Sequence, residues 1–331
     1  MDDLNNVPLD QNEILRTVIS KRGWLWFTVI LTILGGTAAA ISLLNAGSYG
    51  VTLFCAIPFT VGFVIGFLYA PTRKAIAWKT MFYALGIICL LGLLIMALGS
   101  EGGICFLMAA GLLFLPALLG VSFGHFLGNS HLKTEKIYIL FVFIMVNPSA
   151  LTYDILDHSQ VAATSATEVI INASDSTIWH KLTQKVEFNK SNNFFLKSGI
   201  SYPLDMELQK VDNQCFLKCN TTNGFANLRV DALIQNKKMV FKPMQEVPPM
   251  RETALWGEID APHLHGYFKN EYGLFEIVPL EAGKCRLIAQ THYTYRITPV
   301  WYWSWWSDYL VNQMHKNVLN KIKEAAEVST E

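Results

Sequence analysis

Between residues 23 and 128 the only charged side chains are Arg73, Lys74, Lys79 and Glu101. An ordinary soluble domain carries about a quarter of its residues charged, so a stretch this bare of charge cannot be placed in one. It divides into four apolar windows, Gly23 to Leu44, Tyr49 to Ala70, Trp78 to Leu98 and Gly103 to Leu127. Each is long enough to cross about 30 Å of hydrocarbon as a helix. A fifth window, Ile137 to Tyr153, is shorter and is interrupted by Asn147 and Pro148.

Basic residues orient these spans. Arg16, Lys21 and Arg22 precede the first window, Arg73, Lys74 and Lys79 follow the second, and Lys133 and Lys136 follow the fourth. The other two loops carry no Lys or Arg, so the positive-inside rule puts the N-terminus in the cytoplasm. Five spans would put the chain beyond about residue 158 outside the cytoplasm, and four would keep it inside. The unbroken apolar run after Lys136 is costly to leave in water, which favours five and an extracytoplasmic C-terminal domain in the inner membrane.

Residues 1–22 hold a shorter pattern. Asp10 and Glu13 stand at capping-box spacing, and Ile14, Leu15, Val18 and Ile19 make one stripe, as in a cytoplasmic amphipathic helix lying on the membrane. A signal peptide would have a shorter apolar run, with no further windows behind it. Apart from Lys79 at the edge of the third window, with Glu101 at a loop, no Asp, Glu, Lys or Arg lies inside the first four windows to serve as an ion or proton relay. The net charge is zero, and no basic stripe is present for nucleic acid. Of six cysteines, Cys55, Cys89 and Cys105 sit in apolar windows and read as small buried hydrophobes. Cys215 and Cys219 are roughly 13 Å apart along a strand, too far for a shared disulfide or metal.

Charge returns at soluble density after about residue 158, which gives three regions: 1–22, the spans within 23–156, and a domain over 160–331. In that domain "TEVIINA" reads as a strand, and "SDSTIWHKL" as a helix capped by Ser174 or Asp175. Six further segments alternate as strands: "GISYPLDMELQKV", "QCFLKCNTTNG", "ANLRVDALIQ", "KKMVFKPM", "GYFKNEYGLFEIVPL" and "KCRLIAQTHYTYRIT". Val311, Met314, Val318 and Ile322 then repeat at helical spacing in a long closing helix.

This order resembles the START-like, polyketide cyclase/dehydrase superfamily (SRPBCC). More narrowly, "VIINASDSTIWHKL", "GISYPLDMEL", "PPMRE", "HLHGYFKNEYGLFEIVPLEAGKCRL" and "YWSWWSDYLVNQMHKNVLNKIK" look like its bacterial membrane-anchored branch. The resemblance implies an α+β chain in which four or five transmembrane helices precede a helix-grip domain, a curved antiparallel sheet around the long C-terminal helix. It also implies a cavity for a lipid-like or polyketide-like apolar ligand, with no cofactor. Cyclase, dehydratase or hydrolase activity, and a role as a structural or assembly factor, remain alternatives, because one fold serves many activities.

Strand alternation assigns Leu287, Ala289, Thr291, Tyr293 and Tyr295 to the cavity, with Tyr202, Leu228 and Val230 from other strands and Met314 from the helix. The stretch 248–268 reads as a long loop stiffened by Pro248, Pro249 and Pro262, a lid whose Trp256 reaches the ligand. Glu252, Glu258, His263 and Tyr293 are the candidate acids and bases for an enzyme. His263 and His265, with Asp260 or His292, are weighed as zinc ligands, but two histidines alternating in a strand-entry loop diverge, so no metal site is expected. No nucleophile elbow, phosphate loop or dinucleotide fingerprint occurs. Of the aromatic cluster "PVWYWSWWSDY", part is expected to pack on the sheet and the surplus to face the membrane interface.

Overall fold

The computed structural model describes residues 30, 33, 35–44, 49–69, 78–129, 147–156, 160–212 and 214–328. They fall into two compact units. The amphipathic segment 1–22, most of the first apolar window and residues 137–146 of the fifth lie outside the described residues.

The first unit is helical. Helices α2 (Thr52–Tyr69), α3 (Trp78–Ala97) and α4 (Gly103–Gly128) are long and apolar enough to cross a membrane. A shorter apolar helix, α1 (Gly35–Leu44), and α5 (147–156) accompany them. Among the described residues three spans are therefore visible, against the four or five expected from sequence.

Val61 and Ile65 of α2, Ala84, Ile88 and Leu91 of α3, and Ala117 and Val121 of α4 form the core of this unit. Two pairs of glycines bring α2 and α4 into backbone contact. A Cβ on Gly62 or Gly66 would lie 1.9 or 2.2 Å from the carbonyl oxygens of Ala117 and Val121. A Cβ on Gly120 or Gly124 would lie 2.2 Å from the carbonyls of Phe59 and Phe63. Small residues at four-residue spacing allow this approach where no hydrophobic force separates helix from lipid. Asn147, which interrupts the fifth window, donates to Thr60 Oγ1 at 2.9 Å and so leaves its amide satisfied in an apolar setting.

The second unit comprises Asp154–Glu331 together with Gly47–Val51 and Met96–Met108. Its antiparallel sheet has eight strands: β1 (Val161–Ile171), β2 (Val186–Glu187), β3 (Pro203–Val211), β4 (Gln214–Thr221), β5 (Gly224–Ile234), β6 (Lys238–Pro243), β9 (Phe268–Pro279) and β10 (Cys285–Tyr295). Their spatial order is β1-β10-β9-β6-β5-β4-β3-β2. Strand β1 starts six residues before the apolar run that announces it, because Ala, Ser and Thr at 162–167 offer no apolar contrast to read. Ser174 caps α6 (Asp175–Thr183) by accepting the Thr177 amide, and Ile178, Trp179 and Leu182 bury its inner face.

A short helix, α7 (Phe194–Lys197), follows, and the chain closes with α8 (Val300–Glu327), which packs on β1, β10 and α6. Val311, His315, Val318, Ile322 and Ala326, spaced four, three, four and four apart, form its buried stripe. Val318, Ile322 and Ala326 share a core with Leu287 and Ala289 of β10, Phe275 and Ile277 of β9, Met239 of β6 and Leu217 of β4. The result is an α+β domain with the layout of a helix-grip fold.

The stretch 248–268 is not a plain loop: it holds a hairpin of β7 (Glu252–Ala254) and β8 (Gly257–Ile259), then a 3-10 turn at Pro262–Leu264. Strands of three residues are too short to show a period in the sequence.

Candidate functional site

Two groups of buried polar side chains stand out in the second unit. The first lies where α8 crosses β1 and β10. In the sheet register Ser165 pairs with Thr291, Thr291 with Gly273, Gly273 with Phe241, and Phe241 with Val230. Side chains of one such row share a face. The Phe241 ring lies over Gly273, where a Cβ would come within 2.5 Å of it.

His315 closes this row from the helix. Its Nε2 is 2.8 Å from Thr291 Oγ1 and its Nδ1 is 3.1 Å from Thr167 Oγ1. Thr167 gives its hydroxyl proton to Asn312 Oδ1, so Nδ1 carries the imidazole proton and donates to Thr167, while Nε2 accepts from Thr291. Burial pulls the His315 pKa down to about 4, against the opposing charge of Asp308, and holds the ring neutral. The Ser165 hydroxyl is fully buried and has no hydrogen-bond partner.

Beside this polar patch are two phenols. Tyr293 stacks on Phe268 at 4.9 Å, and burial, aided by the charges of Asp308 and Tyr295, pushes its pKa up to about 12. Tyr295 is equally buried. Away from α8 the apolar side chains on the inner face of β3, β5 and β6, namely Leu208, Leu228, Val230 and Phe241, are only half-buried at the edge of the core.

The second group gathers residues far apart in sequence. His263, in the 3-10 turn, points Nδ1 at Glu101 Oε1 (3.2 Å), and its Nε2 is 3.2 Å from Cys105 Sγ and 3.6 Å from Glu252 Oε1. The Tyr49 hydroxyl donates to the same Glu101 oxygen, and its ring meets His263 edge-on at 5.3 Å. Glu101 Oε2 and both oxygens of Glu252 are buried without a hydrogen-bond partner. Burial lowers the His263 pKa, but the carboxylates of Glu101 and Glu252 outweigh it and lift the value to about 9.

The structure sorts the residues singled out from sequence. Leu287, Ala289, Tyr293, Tyr295 and Tyr202 are buried, whereas Thr291, Leu228, Val230 and Met314 are half-buried. Trp256 does not line the interior: it sits at the tip of the β7–β8 hairpin, 82% exposed, with its indole N–H on the Ala97 carbonyl. A hairpin tip leaves so large a ring nothing on one side to pack against.

Of the four candidate acids and bases, only Glu252 and His263 meet. Glu258 is exposed in an ion pair with Arg251, since β8 alternation turns it away from Glu252's partners. Tyr293 belongs to the other group. His265 faces solvent against Asp260, and His292 stacks on Tyr272 at 4.0 Å on the outer face of β10. Sequence reading missed His315, Ser165 and Thr167 of the first group and Tyr49, Glu101 and Cys105 of the second. The spacing of His315 from Val311 and Val318 was the available signal for the first.

No protein-family model matches this chain, and no curated protein matches it. Among solved structures it is similar to the ZhuI aromatase/cyclase from a Streptomyces species, at 11% identity and a TM-score of 0.33 over 52% of this chain and 97% of that one. It is also similar to norcoclaurine synthase of Thalictrum flavum, at 10% identity and a TM-score of 0.33 over 52% and 99%. For the di-domain aromatase/cyclase StfQ the figures are 13%, 0.32, 58% and 59%.

Proposed function

We propose that the chain is a membrane-anchored binding protein for an apolar, lipid-like or polyketide-like molecule held between the sheet and α8. One observation carries this reading. Leu208, Leu228, Val230 and Phe241 share the inner face of the sheet with a packed core yet remain half-buried. An apolar ligand laid on them would complete their burial at roughly 25 cal/mol per Å². The neutral His315–Thr291 pair and the orphan Ser165 hydroxyl supply the few polar groups that orient such a ligand.

Anchoring is supported by the three long apolar helices. Trp301 and Trp305, exposed at the start of α8 while Trp303 is buried, suit a membrane interface. The side of the membrane also has support. Thr298 N–H donates to the Tyr49 carbonyl at 3.1 Å, and the Trp256 indole to the Ala97 carbonyl at 2.9 Å. Both loops concerned, Gly47–Val51 and Met96–Met108, belong to the same unit as the C-terminal domain. They are the two loops without Lys or Arg, so the positive-inside rule puts them, and the domain with them, outside the cytoplasm. That favours five spans.

The test is lipid extraction from the purified full chain, followed by mass spectrometry. The reading expects an apolar compound that copurifies with the wild type and is depleted from a Val230→Trp variant, whose indole fills the half-buried face. Equal recovery from both, or from neither, overturns it.

A further inference from the structure

The Glu101–Cys105–Glu252–His263 group is chemically over-supplied for a structural contact. Three of its four carboxylate oxygens are buried without a hydrogen-bond donor. Burying an ionised carboxylate with no partner costs several kcal/mol, so such groups pair or bind a cation. Among the described residues the basic group within reach, His263, has Nδ1 taken by Glu101, and its Nε2 faces a thiol and a carboxylate oxygen beyond hydrogen-bond distance.

We propose that His263 Nε2, Cys105 Sγ and the Glu252 carboxylate hold a divalent cation of the zinc class, with Glu101 orienting the histidine. Bond lengths of about 2.0–2.3 Å in a tetrahedral site put neighbouring N, S and O donors roughly 3.3–3.6 Å apart. The separations from Nε2 are 3.2 Å to Cys105 Sγ and 3.6 Å to Glu252 Oε1. The donor atoms that lie within 4.8 Å of one another belong to Glu101, Cys105 and His263, and Glu252 reaches this group through His263 Nε2. A mixed nitrogen, thiolate and carboxylate set suits zinc, since calcium and magnesium prefer all-oxygen sites.

The outer contacts fit the same reading. A metal-bound histidine gives its other N–H to a carboxylate, and Nδ1–H donates to Glu101 Oε1, which Tyr49 also engages. On binding, the Cys105 thiol and the His263 imidazolium at Nε2 each lose a proton to water, and the thiolate and the freed nitrogen coordinate the cation. The three protein ligands come from α4, β7 and the Pro262–Leu264 turn, so the ion would fasten the β7–β8 hairpin to the start of α4. This proposal stands apart from the apolar ligand above and does not rest on it.

Cobalt titration of the chelator-treated full chain in detergent, its fold checked by circular dichroism, provides the test. One Co²⁺ per chain is expected, with a thiolate-to-cobalt charge-transfer band and displacement by one equivalent of Zn²⁺. Cys105→Ser should abolish the band, and His263→Asn or Glu252→Gln should weaken binding at least tenfold. Glu101→Gln should weaken it about 10–100-fold, the range for an outer-shell partner. Glu258→Gln should leave it unchanged. A wild-type chain with no charge-transfer band, a band that survives Cys105→Ser, or affinity indifferent to the His263 and Glu252 changes would overturn the proposal.

Discussion

The Glu252 carboxylate lies directly against the α-carbon of Gly102: a Cβ there would come within 1.6 Å of Oε2 and 2.6 Å of Cδ. Gly102 is needed for space rather than for backbone freedom, because it is the one residue type that leaves room for the buried acid. Gly102→Ala must push Glu252 out of its place, and overpacking of this kind costs about 1–3 kcal/mol. Hydrogen exchange should show lost protection in the β7–β8 hairpin, with the β1–β10 ladder unaffected. Unchanged protection at Glu252–Ile259 would show that the carboxylate does not need this position.

His315 predicts a pH dependence of stability. Its folded pKa of about 4 lies below the value of about 6.5 in an unfolded chain. Above pH 6.5 both states hold a neutral ring and the group contributes no slope. As the pH falls from 6.5 to 4, the unfolded chain takes up a proton that the folded chain refuses, so stability drops by up to about 1.4 kcal/mol per unit. The groups facing the ring are Thr167, Thr291 and the charge of Asp308. Thermal unfolding followed by circular dichroism between pH 7 and 4 should fall more steeply for the wild type than for His315→Gln. Equal slopes would mean that the ring titrates normally.

How far the sequence could be read depends on the range of each signal. The β10 alternation from Cys285 to Tyr295, the Ser174 cap and the α8 stripe rest on neighbours within a few residues, and each was visible. His315 sits in that stripe but escapes a reading that seeks apolar residues at helical spacing. By sequence Glu101 is an acid at a loop and Cys105 one more small hydrophobe in an apolar span. Their meeting with His263, about 160 residues away, exists only after the chain folds. Spacing alone turns the histidine pair apart, and His265 faces Asp260 while His263 faces Glu101, but it says nothing of Cys105 and Glu101.

The crossing of α2 and α4 makes a further prediction with a built-in contrast. Gly120→Ala puts a methyl group 2.2 Å from the Phe59 carbonyl and forces the helices apart. A loss of about 1–3 kcal/mol should follow, read as a lower unfolding temperature in detergent. Gly86 of α3 has nothing within 4 Å of the equivalent position. Gly86→Ala should therefore be neutral or slightly stabilising, by up to about 1 kcal/mol, through better helix propensity. Equal effects at the two sites would mean that the glycine contact does not hold the helices.

The hydrogen bonds from Thr298 to Tyr49 and from Trp256 to Ala97 lie within the second unit, and on the proposed five-span reading both loops and the C-terminal domain share one side of the membrane. Neither loop carries a basic residue to hold it in the cytoplasm. A cysteine at Glu331, placed in a chain whose own exposed thiols are first blocked, should react with a membrane-impermeant maleimide added to intact cells. A cysteine at Arg73 should react only after the membrane is opened. Protection of both positions until the membrane is opened would put the domain in the cytoplasm beside Arg73 and reduce the count of spans to four.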